Sequence, residues 1–118
     1  MRDVATLSHA TLLATDLALI EKHQGGDGFE SLRKQTKLFR TWGDCYGYLM
    51  LASGSADIML DAIVNPWDIL ALVPIIRGAG GVITTWSGGD PVTGNSCVAA
   101  SATLHPQVLR ILDAHRQH

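Results

Sequence analysis

The hydrophobic pattern changes period several times along the chain, and each change predicts an element. Residues 10–14 form a short apolar run that predicts a strand ending near Thr15-Asp16, followed by a weak helical turn to about Lys22. Gly25-Gly26-Asp27-Gly28 predicts a flexible loop, and residues 29–35 a helix with Phe29 and Leu32 on one face. Residues 37–42 alternate and predict a strand, which Gly43 breaks. Residues 44–52 are apolar with two tyrosines, Tyr46 and Tyr48, and predict a helix stopped at Ser53-Gly54. Residues 56–60 predict the next strand, and residues 97–101 a short buried one. Ser87-Gly88-Gly89-Asp90-Pro91 predicts a turn. The chain closes on a helix over residues 106–115 with Val108, Leu109, Ile111 and Leu112 as its apolar positions. Strands alternate with helices, which predicts a single α/β domain over residues 1–118: a mostly parallel or mixed sheet of about five strands with helices on both faces.

The most informative stretch runs from Asn65 to Thr84. Asn65 suits an N-cap and Pro66 the first helical position. Asp68 then falls in the first turn, where the helix dipole favours negative charge. Ile69, Leu70, Leu72, Val73, Ile75 and Ile76 leave little polar face, so the helix is expected to be buried. Gly80-Gly81 ends it, and Val82-Ile83 followed by two threonines predicts a strand. Pro74 is discordant: inside a helix it removes a backbone bond at a cost of about 3 kcal/mol, so either the axis bends there or the helix boundary lies elsewhere. A carboxylate held at a buried helix start can ligate a metal or simply cap its own helix, and local chemistry alone favours the cap.

Composition narrows the function classes. The net charge of −2 over 118 residues offers no basic patch for nucleic acid. Charged residues make up 17% and hydrophobic residues 47%, an oily balance for a small domain with much surface to solvate. A large partner interface is the simplest explanation, and a two-fold homo-oligomer its default form. No apolar run approaches the roughly 18 residues of a membrane span, and no apolar core follows Met1-Arg2-Asp3 to make a signal peptide. Cys45 and Cys97 lie far apart and suggest neither a disulfide scaffold nor a zinc site, which fits a reducing cytoplasm. His115 and His118 read as a polar tail. Gly25-Gly26-Asp27-Gly28 has no following Lys-Ser/Thr and is not a phosphate loop.

W-D-x-x-A at Trp67 to Ala71, an apolar run, then A-G-G-x-I at Ala79 to Ile83 resemble the C-terminal signature of the inositol monophosphatase family. The resemblance extends over essentially the whole chain. Arg40-Thr41-Trp42-Gly43-Asp44-Cys45-Tyr46-Gly47-Tyr48 resembles the family's glycine turn before a helix, and Leu51-Ala52-Ser53-Gly54-Ser55-Ala56-Asp57 its A-x-G-x-x-D run. The G-D-C-Y-G-Y string and the Leu-Val-Pro of the helix look most like the histidinol-phosphate phosphatase branch.

The resemblance implies a magnesium-dependent phosphomonoesterase. It implies that Asp68 is a metal ligand and that Gly43, Asp44 and Asp61 line the substrate pocket, where Asp44 could pair with a cationic amine or imidazole. Asp61, seven residues before Asp68, stands where inositol phosphatases usually carry Glu, and is one methylene shorter. The family's other metal ligands, a Glu and a D-P-x-D-G-T-type motif, have no counterpart here. Asp90-Pro91-Val92-Thr93-Gly94 lacks the second Asp and follows the signature helix, so it reads as a turn. The chain therefore resembles the C-terminal half of such an enzyme. It is expected to bind magnesium weakly or not at all alone, and to act on a small phosphorylated metabolite only when completed by an N-terminal half. The alternative is a non-catalytic interaction or oligomerisation module derived from such an enzyme.

Overall fold

The computed structural model describes residues 4–14, 20, 22, 27–41, 48, 51–54, 56–61, 66–92, 94 and 96–114, with the backbone alone for 41 and 66–68. A 3-10 turn at Leu7–His9 leads into β1 (Thr11–Ala14). There follow α1 (Asp27–Gln35), β2 (Leu38–Thr41), β3 (Ile58–Asp61), α2 (Pro66–Gly78), β4 (Gly81–Thr84), β5 (Cys97–Ser101) and α3 (His105–Ala114). The expected elements are present where residues are described, usually within two positions. Ile20 and Lys22 are helical, as are Tyr48, Leu51 and Ala52. The rest of the helix expected over residues 44–52 lies outside the described residues, as do Asn65, Tyr46, Cys45, His115 and His118.

One such shift turns an expected loop into helix. Asp27 and Gly28, expected in a loop, form the first turn of α1. Asp27 and Glu30 there complement the helix dipole, and Gly28 is buried.

The sheet has five strands in the order β2-β1-β3-β5-β4. β1 pairs in parallel with β2 and β3, while β5 runs antiparallel to both β3 and β4, so the sheet is mixed rather than mostly parallel. The β3-α2-β4 unit is a crossover between two like-directed strands one position apart, and β5 fills the gap between them in the opposite direction. Asp57 fastens the centre: its Oδ2 accepts the Thr11 N–H at 2.7 Å while its own N–H donates to the Thr11 carbonyl at 3.0 Å.

Alternation along the strands sorts the core into two layers. Leu12, Ala14, Ile58, Leu60, Val98 and Ala100 face one way and pack with Phe29 and Leu32 of α1 and Val108 and Leu112 of α3. Leu13, Met59, Ile83, Cys97 and Ala99 face the other way, against Ile69, Leu72, Val73 and Ile76 of α2 with Tyr48 and Leu51. Helices thus cover both faces, and each fully buried Leu or Ile contributes about 1.5–3 kcal/mol of transfer free energy.

α2 departs from expectation in one respect and meets it in another. It is not buried all round: Leu70 is 56% and Ile75 39% exposed. Ala71, Pro74, Arg77 and Gly78 are exposed with them. A helix lying on one sheet can bury only one stripe, and the hydrophobicity of the other stripe does not change that. The helix nevertheless runs through Pro74 without interruption. Pro74 sits on the outward side, where solvent can satisfy the carbonyl that its missing N–H leaves without a partner. At the end of α2, Gly80 takes φ +88°, a left-handed conformation that favours glycine.

Candidate functional site

The parallel strands end on one edge of the sheet, at Ala14, Thr41 and Asp61. β4 has the same direction as β3, so Thr84 ends at this edge as well. Open α/β sheets bind ligands outside the carboxyl ends of their strands, which makes this the edge to search. Asp61 is the last residue of β3, and Asp68 is in the first turn of α2, which begins five positions after that strand ends. Only the backbone of Asp68 is described. Gly43 and Asp44 follow the end of β2 directly but lie outside the described residues.

Asp61 is 4% exposed. Its Oδ2 accepts a hydrogen bond from the Tyr48 hydroxyl, and its main-chain oxygen accepts the Trp86 indole N–H at 2.9 Å. Across the sheet it stands opposite Cys97. Burial pushes the Tyr48 hydroxyl well above the ordinary phenol range, and the neighbouring Cys97 and Asp61 push the same way. Burial also raises the Cys97 thiol to about 12, against the opposing effect of the Tyr48 hydrogen bond. Cys97 is therefore a buried thiol with almost no thiolate at neutral pH, and no nucleophile. The cluster can hold a carboxylate in a fixed orientation. The family resemblance singled out Asp61, while Tyr48 was placed only on a helix; the sequence carried no signal that the two would meet, because 13 positions with no common period separate them.

A second polar junction closes the same edge. Thr84 Oγ1 donates to the Thr85 carbonyl at 2.8 Å and lies 2.9 Å from His105 Nε2. Since the hydroxyl proton is spent on the carbonyl, His105 donates from Nε2, which fixes the tautomer. Burial lowers the pKa of this imidazole. Thr85 organises the following turn, exchanging bonds with Gly89 at 3.0 and 2.9 Å, while Asp90 Oδ1 accepts the Val92 N–H at 2.9 Å. The Asp90-Pro91 segment is thus a turn, as its sequence suggested. Gly94 lets the turn close on Thr85: a Cβ there would lie 2.2 Å from Thr85 Cγ2 and would force the threonine to shift.

Magnesium is held by hard oxygen ligands, usually carboxylates with water. Among the described residues, no three His, Cys, Asp or Glu side chains come together as a metal cluster. Asp61, the described carboxylate at this edge, is engaged by Tyr48 within the core. The described side chains do not make a magnesium site by themselves. A shallow cleft of about 310 Å³ lies beside α3, lined by Trp86, Ser87, Pro106, Leu109, Arg110 and Asp113. It contains none of the candidate residues. Among the described residues, no helix is long and apolar enough to cross a membrane.

Fold and edge together define a mixed α/β unit that presents acidic residues where its parallel strands end. The chain belongs to the inositol monophosphatase family, whose model matches residues 5–117. It is 33% identical to a bifunctional phosphatase, IMPL2, of Arabidopsis thaliana over 97% of its own length and 36% of the relative's. It is 31% identical to a histidinol-phosphatase of Streptomyces coelicolor over 93% of its length and 41% of the relative's. An inositol monophosphatase from Zymomonas mobilis superposes with a TM-score of 0.88 at 29% identity, over 96% of this chain and 46% of that one. The chain spans less than half the length of each.

Proposed function

We propose that the chain is the substrate-side half of a magnesium-dependent phosphomonoesterase and is inactive without a complementary half. Histidinol phosphate is the first substrate to consider and inositol phosphate the second, since relatives carry both names. One observation carries the reading: β3 and α2 bring Asp61 and the Asp68 position to the edge where the parallel strands end. Asp68 contributes one metal ligand. Bound magnesium would activate water and neutralise phosphate charge. Gly43 allows close approach of the substrate, and Asp44 pairs with its cationic amine or imidazole. Asp61 forms part of the pocket wall, held in place by Tyr48.

The decisive measurement is release of inorganic phosphate from histidinol phosphate and inositol phosphate in the presence of magnesium. The chain is assayed alone and mixed with the N-terminal segment of the Streptomyces coelicolor histidinol-phosphatase that it does not span. No turnover is expected from the chain alone, and chelator-sensitive turnover from the mixture. Asp68→Asn should sharply lower the latter while changing the stability of the isolated chain by only about 0.3–1 kcal/mol, the dipole contribution of a first-turn carboxylate. Turnover by the pure chain, abolished by chelator, would overturn the reading. The rival reading as a non-catalytic oligomerisation module is favoured by the apolar outward face of α2.

A further inference from the structure

We propose that the shallow cleft beside α3 binds a small zwitterion, an α-amino acid with a flat or branched apolar side chain. The cleft lies between α3 and the turn that follows β4, and none of its lining residues is assigned to the ester site. Its walls are fixed. Thr85 exchanges bonds with Gly89 across the turn, and Ser87 Oγ lies 3.1 Å from Thr85 Oγ1. A Cβ built on Gly88 would stand 3.5 Å from Leu109 Cδ1, so the turn sits close against the helix. Small-molecule sites are usually pre-formed in this way and occupy about 300–1,000 Å³. A cleft of about 310 Å³ is at the lower end of that range and fits a molecule of amino-acid size better than a nucleotide.

The lining sets one charge of each sign beside an apolar floor. On α3, Pro106, Leu109, Arg110 and Asp113 stand at i, i+3, i+4 and i+7 and therefore share one face. Arg110 and Asp113 are both exposed, and residues at this spacing lie roughly 5–6 Å apart at Cβ. The guanidinium fork matches a carboxylate, and the Asp113 carboxylate accepts from an ammonium. Asp113 has a further interaction as well, and its two oxygens leave it able to take an ammonium besides. A ligand with a single charge would be attracted by one of these groups and repelled by the other. An α-amino acid carries both signs on one carbon and satisfies both. Its side chain is then left for Trp86, Leu109 and Pro106. Trp86 does not compete for the polar groups of the ligand, because its indole N–H is given to the main-chain oxygen of Asp61 at 2.9 Å. The same bond holds the ring in place and ties this wall of the cleft to the end of β3.

The test is titration of the isotope-labelled 118-residue chain with L-phenylalanine, read at the indole N–H signal of Trp86. Trp86→Phe assigns that signal among the three tryptophans. A saturable shift is expected, with Kd on the order of 1 mM, ordinary for a ligand of a dozen atoms in an open site. Glycine has the charges without the side chain, and phenylpropionate and phenethylamine have one charge each. All three are expected to bind at least tenfold more weakly. Arg110→Gln and Asp113→Asn are each expected to weaken L-phenylalanine about tenfold, the loss of one charged hydrogen-bond partner, and Lys34→Glu on exposed α1 to leave it unchanged. Urea midpoints confirm folding. If Asp113→Asn unfolds α3, Asp113→Glu keeps the charge and should keep the binding. The proposal is overturned if L-phenylalanine gives no saturable shift at Trp86, if either singly charged analogue binds as tightly, or if Arg110→Gln leaves the affinity unchanged. Phosphate release has no bearing on this outcome, so the site and the proposed function fail separately.

Discussion

On the side of the sheet covered by α1 and α3, the buried cluster is aliphatic and aromatic, built around Leu12, Leu60, Phe29 and Val108. On the side covered by α2, Leu13, Met59 and Ile76 share the interior with Tyr48 and Cys97, beside the Asp61 carboxylate. The first layer is held by volume: any apolar side chain of the right size keeps it together. The second is held partly by pairing, because a buried polar group is tolerable only while its partner remains. The layer that depends on pairing is the one that abuts the acidic edge. A fixed carboxylate there requires a polar anchor inside the core; from the opposite layer Trp86 reaches only the main-chain oxygen of the same residue.

Truncation should separate the two layers most clearly. Leu60→Ala, in the α1/α3 layer, removes a fully buried side chain and is expected to cost about 2–5 kcal/mol in urea denaturation. Tyr48→Phe deletes one oxygen with almost no change of volume. It should cost about 1–3 kcal/mol, because it takes the hydroxyl away from Asp61 Oδ2. Combining Tyr48→Phe with Asp61→Leu should recover part of that loss, and failure to do so would mean that volume governs both layers. Leu60→Met, which conserves volume, should cost less than Tyr48→Phe; the opposite ranking would erase the contrast.

His105 gives a smaller effect with a definite sign. Its pKa lies below the ordinary 6.5 in the folded chain, so between the two values the unfolded chain binds more protons. Stability from this group is fully present above pH 6.5 and is lost as the pH falls through 6.5 toward the folded value. Unfolding curves measured stepwise from pH 7.5 to 5 should show the decline, and His105→Gln should flatten it. An unchanged slope in the variant would assign the decline to other groups. The smallest effect belongs to the surface: Glu30→Gln removes the Arg33 pair at 2.8 Å on exposed α1 and should leave the urea midpoint unchanged.

Much of the architecture was legible because apolar periodicity and punctuation agreed. β1, β5, α2 and α3 appear where strand runs, a proline start and amphipathic spacing placed them. The direction of β5 was less legible, since alternating strands and helices suggest parallel order. The deciding signal was the short β4–β5 link: its described residues form turns and bends and no helix, and parallel pairing of neighbours normally needs a longer crossover. The exposure of Leu70 and Ile75 was hidden because a uniformly apolar helix does not reveal which stripe faces the sheet. At the edge, the family resemblance, and not local chemistry, singled out Asp61 and Asp68. The Tyr48 and Trp86 bonds to Asp61 became visible only when the elements were brought together.

The place of β1 in the sheet has a consequence for how the chain is made. β1 precedes the other four strands of this sheet in the chain, yet it lies in the interior of the sheet, with β2 on one side and β3 on the other. The Asp57–Thr11 bonds that fasten it span 46 positions. On the ribosome, Leu12 and Leu13 therefore emerge well before Ile58 and Met59 exist to flank them. For that interval the strand has one open backbone edge and two apolar faces, the state most prone to pairing with the wrong chain. A nascent chain stalled before Ile58 should bind chaperones more strongly than one that extends through α3, which covers Leu12 and Leu60.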